Sequence, residues 1–149
     1  ADCAGAALVV CREESNLVSF TVTTTIIPTW TSVTENAVAV SYTPSNRYIL
    51  GSYLEGYALP TTTLLASSDD TVSFTLAPGS NALPIGISIV GGGANTAQIT
   101  GAYGGIGYGI MTNTTYNFTV RATESSPTDY NDREFSITIL NDPGYYSPS

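Results

Sequence analysis

Apolar and polar residues alternate with period two along most of this chain, while helical periodicity is almost absent. Over Leu17–Ile27, Val18, Phe20, Val22 and Ile26 fall on one side of an extended backbone, with Ser19, Thr21, Thr23 and Thr25 on the other. The same alternation predicts strands over Ala37–Thr43 (Val38, Val40, Tyr42), Thr71–Ala77 (Val72, Phe74, Leu76) and Ile85–Val90 (Ile85, Ile87, Ile89). It returns over Thr115–Ala122 (Tyr116, Phe118, Val120, Ala122) and Glu134–Leu140 (Phe135, Ile137, Ile139). A short strand is expected at Gln98–Gly101 and a weaker one within Tyr57–Leu65. Short strands that are apolar on one side and rich in Thr and Ser on the other predict an all-β, antiparallel sandwich. Its shared core is predicted to hold Val72, Phe74, Ile87, Tyr116, Phe118, Val120, Phe135, Ile137 and Ile139.

The punctuation agrees. Pro28, Pro44, Pro60, Pro78-Gly79, Pro84, Pro127 and Pro143-Gly144 fall between the alternating runs, where a missing amide donor costs no ladder bond. Gly91-Gly92-Gly93 and Gly101–Gly109 read as loops. The second has no Lys-Ser/Thr ending and no helix after it, so it reads as a turn with surface aromatics and not as a phosphate cradle.

Composition narrows the chemistry. Of 149 residues only 11% are charged, with four basic residues against twelve carboxylates and a net charge of −8. There is no histidine, and all four cations are arginines: Arg12, Arg47, Arg121 and Arg133. A histidine general base, a lysine Schiff base and a histidine-ligated metal are therefore excluded. Few, scattered cations also exclude nucleic acid as a partner. No apolar run approaches the length of a membrane span. Cys3 and Cys11, too few for a tetrahedral zinc site, are either a disulfide stapling the N-terminal segment or two buried thiols. Asn113 and Asn117 stand in glycosylation sequons.

Several motifs occur in a recognisable order: Pro28-Thr29-Trp30, Val72–Leu76, Leu83-Pro84-Ile85-Gly86-Ile87-Ser88-Ile89, Ile99-Thr100-Gly101, Thr115–Thr123 and Arg133–Ile139. Together they resemble the immunoglobulin-like, cadherin-like repeat family over Pro28–Ile139. The stretches Ala37–Ser68 and Gly101–Tyr116 are longer than that pattern. The resemblance implies an immunoglobulin-like sandwich over 28–141, preceded by a strand-bearing arm or the end of another domain over 1–27 and followed by a linker or arm over 142–149. It also implies a non-catalytic structural or adhesive role. Such repeats are found in tailed-phage virion proteins and in bacterial surface proteins, so a virion fibre, baseplate or capsid-decoration protein is expected. The alternatives are a secreted or cell-surface bacterial or archaeal adhesin repeat or filament subunit, or a carbohydrate-binding module. The expected location is the virion, or else extracellular or at the cell surface. The expected partners are other structural proteins, copies of the same chain, or a host-surface glycan.

Three sets of residues are candidates for contact chemistry. Asp129, Asn131, Asp132 and Glu134 offer hard oxygen ligands at a spacing similar to the calcium-holding linkers of cadherin repeats. Solvated turn residues with Arg133 paired to one acid give the alternative. No other cofactor is implied. Tyr48, Tyr53, Tyr57, Tyr103 and Tyr108 lie in stretches that read as loops, where exposed aromatics suit protein contacts or stacking on sugar rings. Asp69-Asp70 and Asp129/Asp132 supply carboxylate pairs, but adjacent acids in turns are ordinary surface charge, so no enzyme activity is expected.

Overall fold

The computed structural model describes residues 26–35, 38–41, 47–104, 112–125 and 129–143. The strands are β1 (Thr29–Glu35), β2 (Val38–Ser41), β3 (Tyr48–Leu54), β4 (Thr62–Ser67), β5 (Val72–Leu76), β6 (Ile87–Gly93), β7 (Thr96–Gly101), β8 (Thr114–Glu124) and β9 (Tyr130–Leu140). They form a five-stranded sheet in the order β2-β1-β4-β7-β6 and a four-stranded sheet in the order β3-β9-β8-β5. Without β2 and β3, one sheet carries the first, second, fifth and fourth remaining strands and the other the third, sixth and seventh, which is the immunoglobulin arrangement.

The expected sandwich is therefore present, with one change of direction. Every pair is antiparallel except β3 with β9, which run parallel from Tyr48 opposite Phe135 to Leu54 opposite Leu140. The extra length between Ala37 and Ser68 supplies β2, β3 and β4. Residues 17–25 lie outside the described residues, and Ile26 and Ile27 precede β1 without strand structure.

Alternation builds the core. On β8, Phe118, Val120 and Ala122 point inward with at most 3% exposure, and on β9 Phe135, Ile137 and Ile139 with at most 1%. Val72 and Ile87 are buried as expected, while Phe74 and Tyr116 pack against the cluster from its margin. Trp30, buried on β1, crosses between the layers. Its ring lies 5.3 Å from Phe74 and 5.9 Å from Phe135, and its Nε1–H donates to the Asn131 carbonyl at 3.1 Å.

Ile85 departs from the pattern: it is 49% exposed, and the strand begins only at Ile87. The cause is Gly86, at φ +87°, which interrupts the alternation so that the strand begins two residues later than the sequence suggests. A Cβ there would stand 2.1 Å from the Ala102 carbonyl oxygen, and one on Gly101 (φ +130°) 2.1 Å from that of Gly86. The two backbones touch at positions only glycine can occupy.

Candidate functional site

The two ends of the sandwich and its edges carry the residues with contact chemistry. At one end the β6–β7 turn ties the layers together. Asn95, at φ +60°, accepts from Val72 N–H through its side chain at 2.7 Å and from Ala66 N–H through its carbonyl at 3.2 Å. This brings the β4–β5 turn, with Ser68, Asp69 and Asp70, beside Glu124 at the end of β8.

Glu124 is 1% exposed, and neither carboxylate oxygen has a hydrogen-bond donor. Its pKa is raised, chiefly because the Asp69 carboxyl stands within reach to share its proton and then because it is buried; the nearby Ser68 hydroxyl pulls the other way. A buried carboxyl facing another carboxyl keeps its proton more readily than one in water.

Asp129, Asn131, Asp132 and Glu134 do not share a loop. From Tyr130 onward they lie on β9, and strand alternation parts them. Asn131 turns toward β1, where its side-chain amide donates to the Pro28 carbonyl at 2.9 Å. Asp132 and Glu134 take the opposite side. Asp132 receives both Nε–H and Nη2–H of Arg121 at 2.8 Å, and Glu134 receives Arg47 at 3.0 and 3.2 Å. Arg121 also lies 3.5 Å over the ring of Tyr130, and its pKa rises, mainly through the bond to Asp132. Two of the four proposed ligands are thus engaged by guanidinium groups and a third faces away. Among the described residues no three acidic or cysteine side chains stand close enough to hold one ion.

The tyrosines divide. Tyr48 and Tyr53 are on β3, half-buried against the core, and not in loops. Tyr48 packs edge-on against Phe135 at 5.8 Å, and the Tyr53 hydroxyl donates to the Leu50 carbonyl at 2.6 Å. Tyr103 is buried at the opposite end from Glu124, where its hydroxyl accepts from that of Tyr116 at 3.1 Å. Burial first, and then that bond, push its pKa up to about 12. Buried Glu55 closes the same end, its Oε1 accepting from Asp142 N–H at 3.1 Å. Of the five, Tyr57 is exposed, at 60%. Tyr108, Cys3 and Cys11 lie outside the described residues.

Three of the expected contact tyrosines therefore serve the interior. Beside Tyr57, which the sequence did single out, contact surface is offered by Ile49 and Leu54, which it did not. Ile49 is 72% exposed, and with Leu54 and Tyr57 it lines the β3 edge and the turn beyond it. Their signal was the run Tyr48–Leu54, whose alternation is interrupted by a register shift between Ile49 and Ser52, around Gly51. Among the described residues no helix is long and apolar enough to cross a membrane.

No model of a known protein family matches the chain, and no curated protein matches it. Solved structures do resemble it. A titin M3 domain superposes with a TM-score of 0.47 and 11% identity over 78% of this chain and 100% of that domain. An endo-fucoidan hydrolase from glycoside hydrolase family 107 gives a TM-score of 0.52 at 15% identity, over 89% of this chain but only 16% of the hydrolase. The R347E mutant of the SrpA adhesin from Streptococcus sanguinis gives 0.51 at 12% identity, over 85% of this chain and 64% of that one. At such identities the likeness is one of fold. The chain is an all-β domain with an immunoglobulin-like sandwich.

Proposed function

We propose that the chain is a non-catalytic structural or adhesive domain that works through protein–protein contacts, and that its place is in a bacteriophage virion, as a fibre, baseplate or capsid-decoration component. The observation that carries the reading is the β3 edge. Ile49 is 72% exposed on this strand, and Leu54 at its end and Tyr57 in the turn beyond follow at 43% and 60%. A neutral apolar edge of this kind is stabilised by being covered. The ordered motifs from Pro28 to Ile139 add the association with phage structural proteins. A second reading, a cell-surface or secreted adhesin domain, is favoured by the fold likeness to the streptococcal adhesin.

Fractionating the source culture into particles, cell envelope and soluble protein, followed by quantitative mass spectrometry of this chain, tests the proposal. Enrichment in particles at the stoichiometry of a structural protein is expected. Enrichment in the envelope replaces the virion reading with the adhesin one, and recovery solely from the soluble fraction overturns both.

A further inference from the structure

Beyond β5 the chain stays fastened to β8. Ala77 N–H donates to the Thr119 carbonyl at 2.9 Å, Thr119 N–H donates to Ser80 Oγ at 2.8 Å, and the Asn81 side-chain amide donates to the Asn117 carbonyl at 3.0 Å. Ser80 N–H closes a turn onto the Ala77 carbonyl at 2.9 Å, and the Ser80 hydroxyl donates to the Asn81 carbonyl at 2.9 Å. These bonds hold the turn as a wall beside the outer face of the four-stranded sheet. Strand alternation places Asn117 and Thr119 on that face, because Phe118 and Val120 point inward, and register sets Glu134 opposite Thr119. Arg47, just before β3, reaches Glu134 from the other side. Here lies a cleft of about 140 Å³, whose polar lining is Arg47, Ser80, Asn81, Asn117, Thr119 and Glu134.

Several of these groups keep bonding capacity in hand. Arg47 directs Nε and Nη2 at one oxygen, Glu134 Oε2, so Arg47 Nη1 and Glu134 Oε1 have no partner among the described residues. Asn81 gives its NH2 group to the sheet, which leaves its Oδ1 as an acceptor. Thr119 adds a hydroxyl. On the floor, Asn117 Oδ1 receives no hydrogen bond. We infer that this cleft binds one neutral pyranose ring of a glycan. Charge decides the class. Arg47 and Glu134 cancel, so an anion meets Glu134, a cation meets Arg47, and either must also part the pair. A sugar meets no such penalty. Its hydroxyls donate as readily as they accept, and so satisfy Glu134 Oε1 and Arg47 Nη1 without separating them. Size sets the number of rings. The space is well below that of a pocket for a drug-sized ligand and suits a single ring. The side chains of Arg47 and Glu134 are 44% and 61% exposed, which lets the rest of the glycan run out into solvent. Phe118 keeps its ring in the core, so no aromatic platform adds to the binding, and one site alone is weak, in the millimolar range. An assembly that repeats the domain multiplies such weak sites into firm attachment, by roughly 10²–10⁴.

This deepens the adhesive side of the reading proposed above and rests on it, but the two fail separately. The full chain, isotope-labelled for amide NMR, is titrated with glucose, galactose, mannose and N-acetylglucosamine to roughly 50 mM each, with inorganic sulfate as the ionic probe. Saturable shifts of the Asn81, Asn117 and Thr119 amides with at least one sugar, and none with sulfate, are expected. Glu134→Ala and Asn81→Ala should each weaken that binding at least about fivefold. Circular dichroism and the urea midpoint check that each variant keeps its sheets, and the map of shifted amides in wild type stands without them. No saturable shift with any of the four sugars, shifts confined to other residues, sulfate binding tighter than every sugar, or a folded variant that binds like wild type overturns the inference. Recovery of the chain in particles in those cases keeps the structural role and assigns attachment to another surface.

Discussion

Replacing Phe135 by alanine tests the packing most directly. The ring is fully buried on β9 and meets aromatic partners on three sides. Phe118 stacks on it across the β8–β9 ladder with centroids 5.7 Å apart and planes inclined by 11°, Tyr48 approaches from β3 at 5.8 Å, and Trp30 from the opposite sheet at 5.9 Å. Truncating a buried phenylalanine costs about 3–5 kcal/mol through lost transfer and residual cavity. Three aromatic contacts worth about 0.5–1.5 kcal/mol each push this case to the upper part of that range, about 4–5 kcal/mol. β9 itself is hydrogen-bonded on both sides, to β3 and to β8, and has little freedom to collapse into the space. For a domain stable by about 5–15 kcal/mol the loss leaves a marginal fold. Phe135→Leu retains most of the volume and should lose under about 2 kcal/mol, while Ile49→Ala, at 72% exposure, should stay within about 0.5 kcal/mol. Urea unfolding followed by the fluorescence of Trp30, the single tryptophan, reads the change where it occurs. Far-UV circular dichroism supplies the second probe. A loss below about 1.5 kcal/mol with an unchanged denaturant slope refutes the account of the core.

Gly101→Ala is expected to cost more than about 2 kcal/mol, because the new Cβ meets the Gly86 carbonyl at 2.1 Å, whereas Gly79→Ala, with open space around it, should cost about 1 kcal/mol for its positive φ alone. Equal urea midpoints for the two variants would remove the close approach as the reason for glycine at 101. Glu124 holds its proton more tightly in the folded chain than in the unfolded one, so its contribution is present at low pH and is lost as pH rises above the ordinary value of 4.5. Glu124→Gln should therefore raise the urea midpoint at pH 7 relative to wild type and give a smaller difference near pH 4; a difference independent of pH contradicts that burial. In a phenolate absorbance titration Tyr103 should remain protonated until about pH 12, so Tyr103→Phe should reduce the absorbance gained in that range. An unchanged titration curve for Tyr103→Phe in that range would mean that the Tyr103 end is open to solvent.

The fold was legible wherever a strand has one face in the core and one in water. Phe118, Val120 and Ala122, with Phe135, Ile137 and Ile139, are spaced by two because alternate side chains of β8 and β9 enter the same interior. The reading weakened where that condition fails. β3 runs parallel, its register shifts around Gly51, and its tyrosines straddle the core boundary, so Tyr48 and Tyr53 read as loop residues although both pack inward. Gly86 delays β6 and leaves Ile85 outside. β1 carries the core tryptophan but reads as a short motif around Pro28, because the side chain that matters pairs with Asn131, 101 residues away.

The contact chemistry was harder to see, for a reason that the same period explains. Asp129–Glu134 reads as a cluster when acids are counted in a window, yet extending the alternation of Phe135, Ile137 and Ile139 back by two residues at a time already separates Asn131 from Asp132 and Glu134. Strand periodicity, applied to polar residues as strictly as to apolar ones, argues against a four-ligand shell before any distance is known. Which guanidinium answers which acid then follows from register, since Arg121 stands opposite Asp132, and Arg47 directly precedes Tyr48, which stands opposite Phe135. Edge status has no such local signature. Thr96–Gly101 and Ile87–Gly93 are both short, uncharged and glycine-terminated, but among the described residues the order β4-β7-β6 gives the first a partner on each side and the second one partner. Whether a strand is saturated belongs to the sheet and not to the strand.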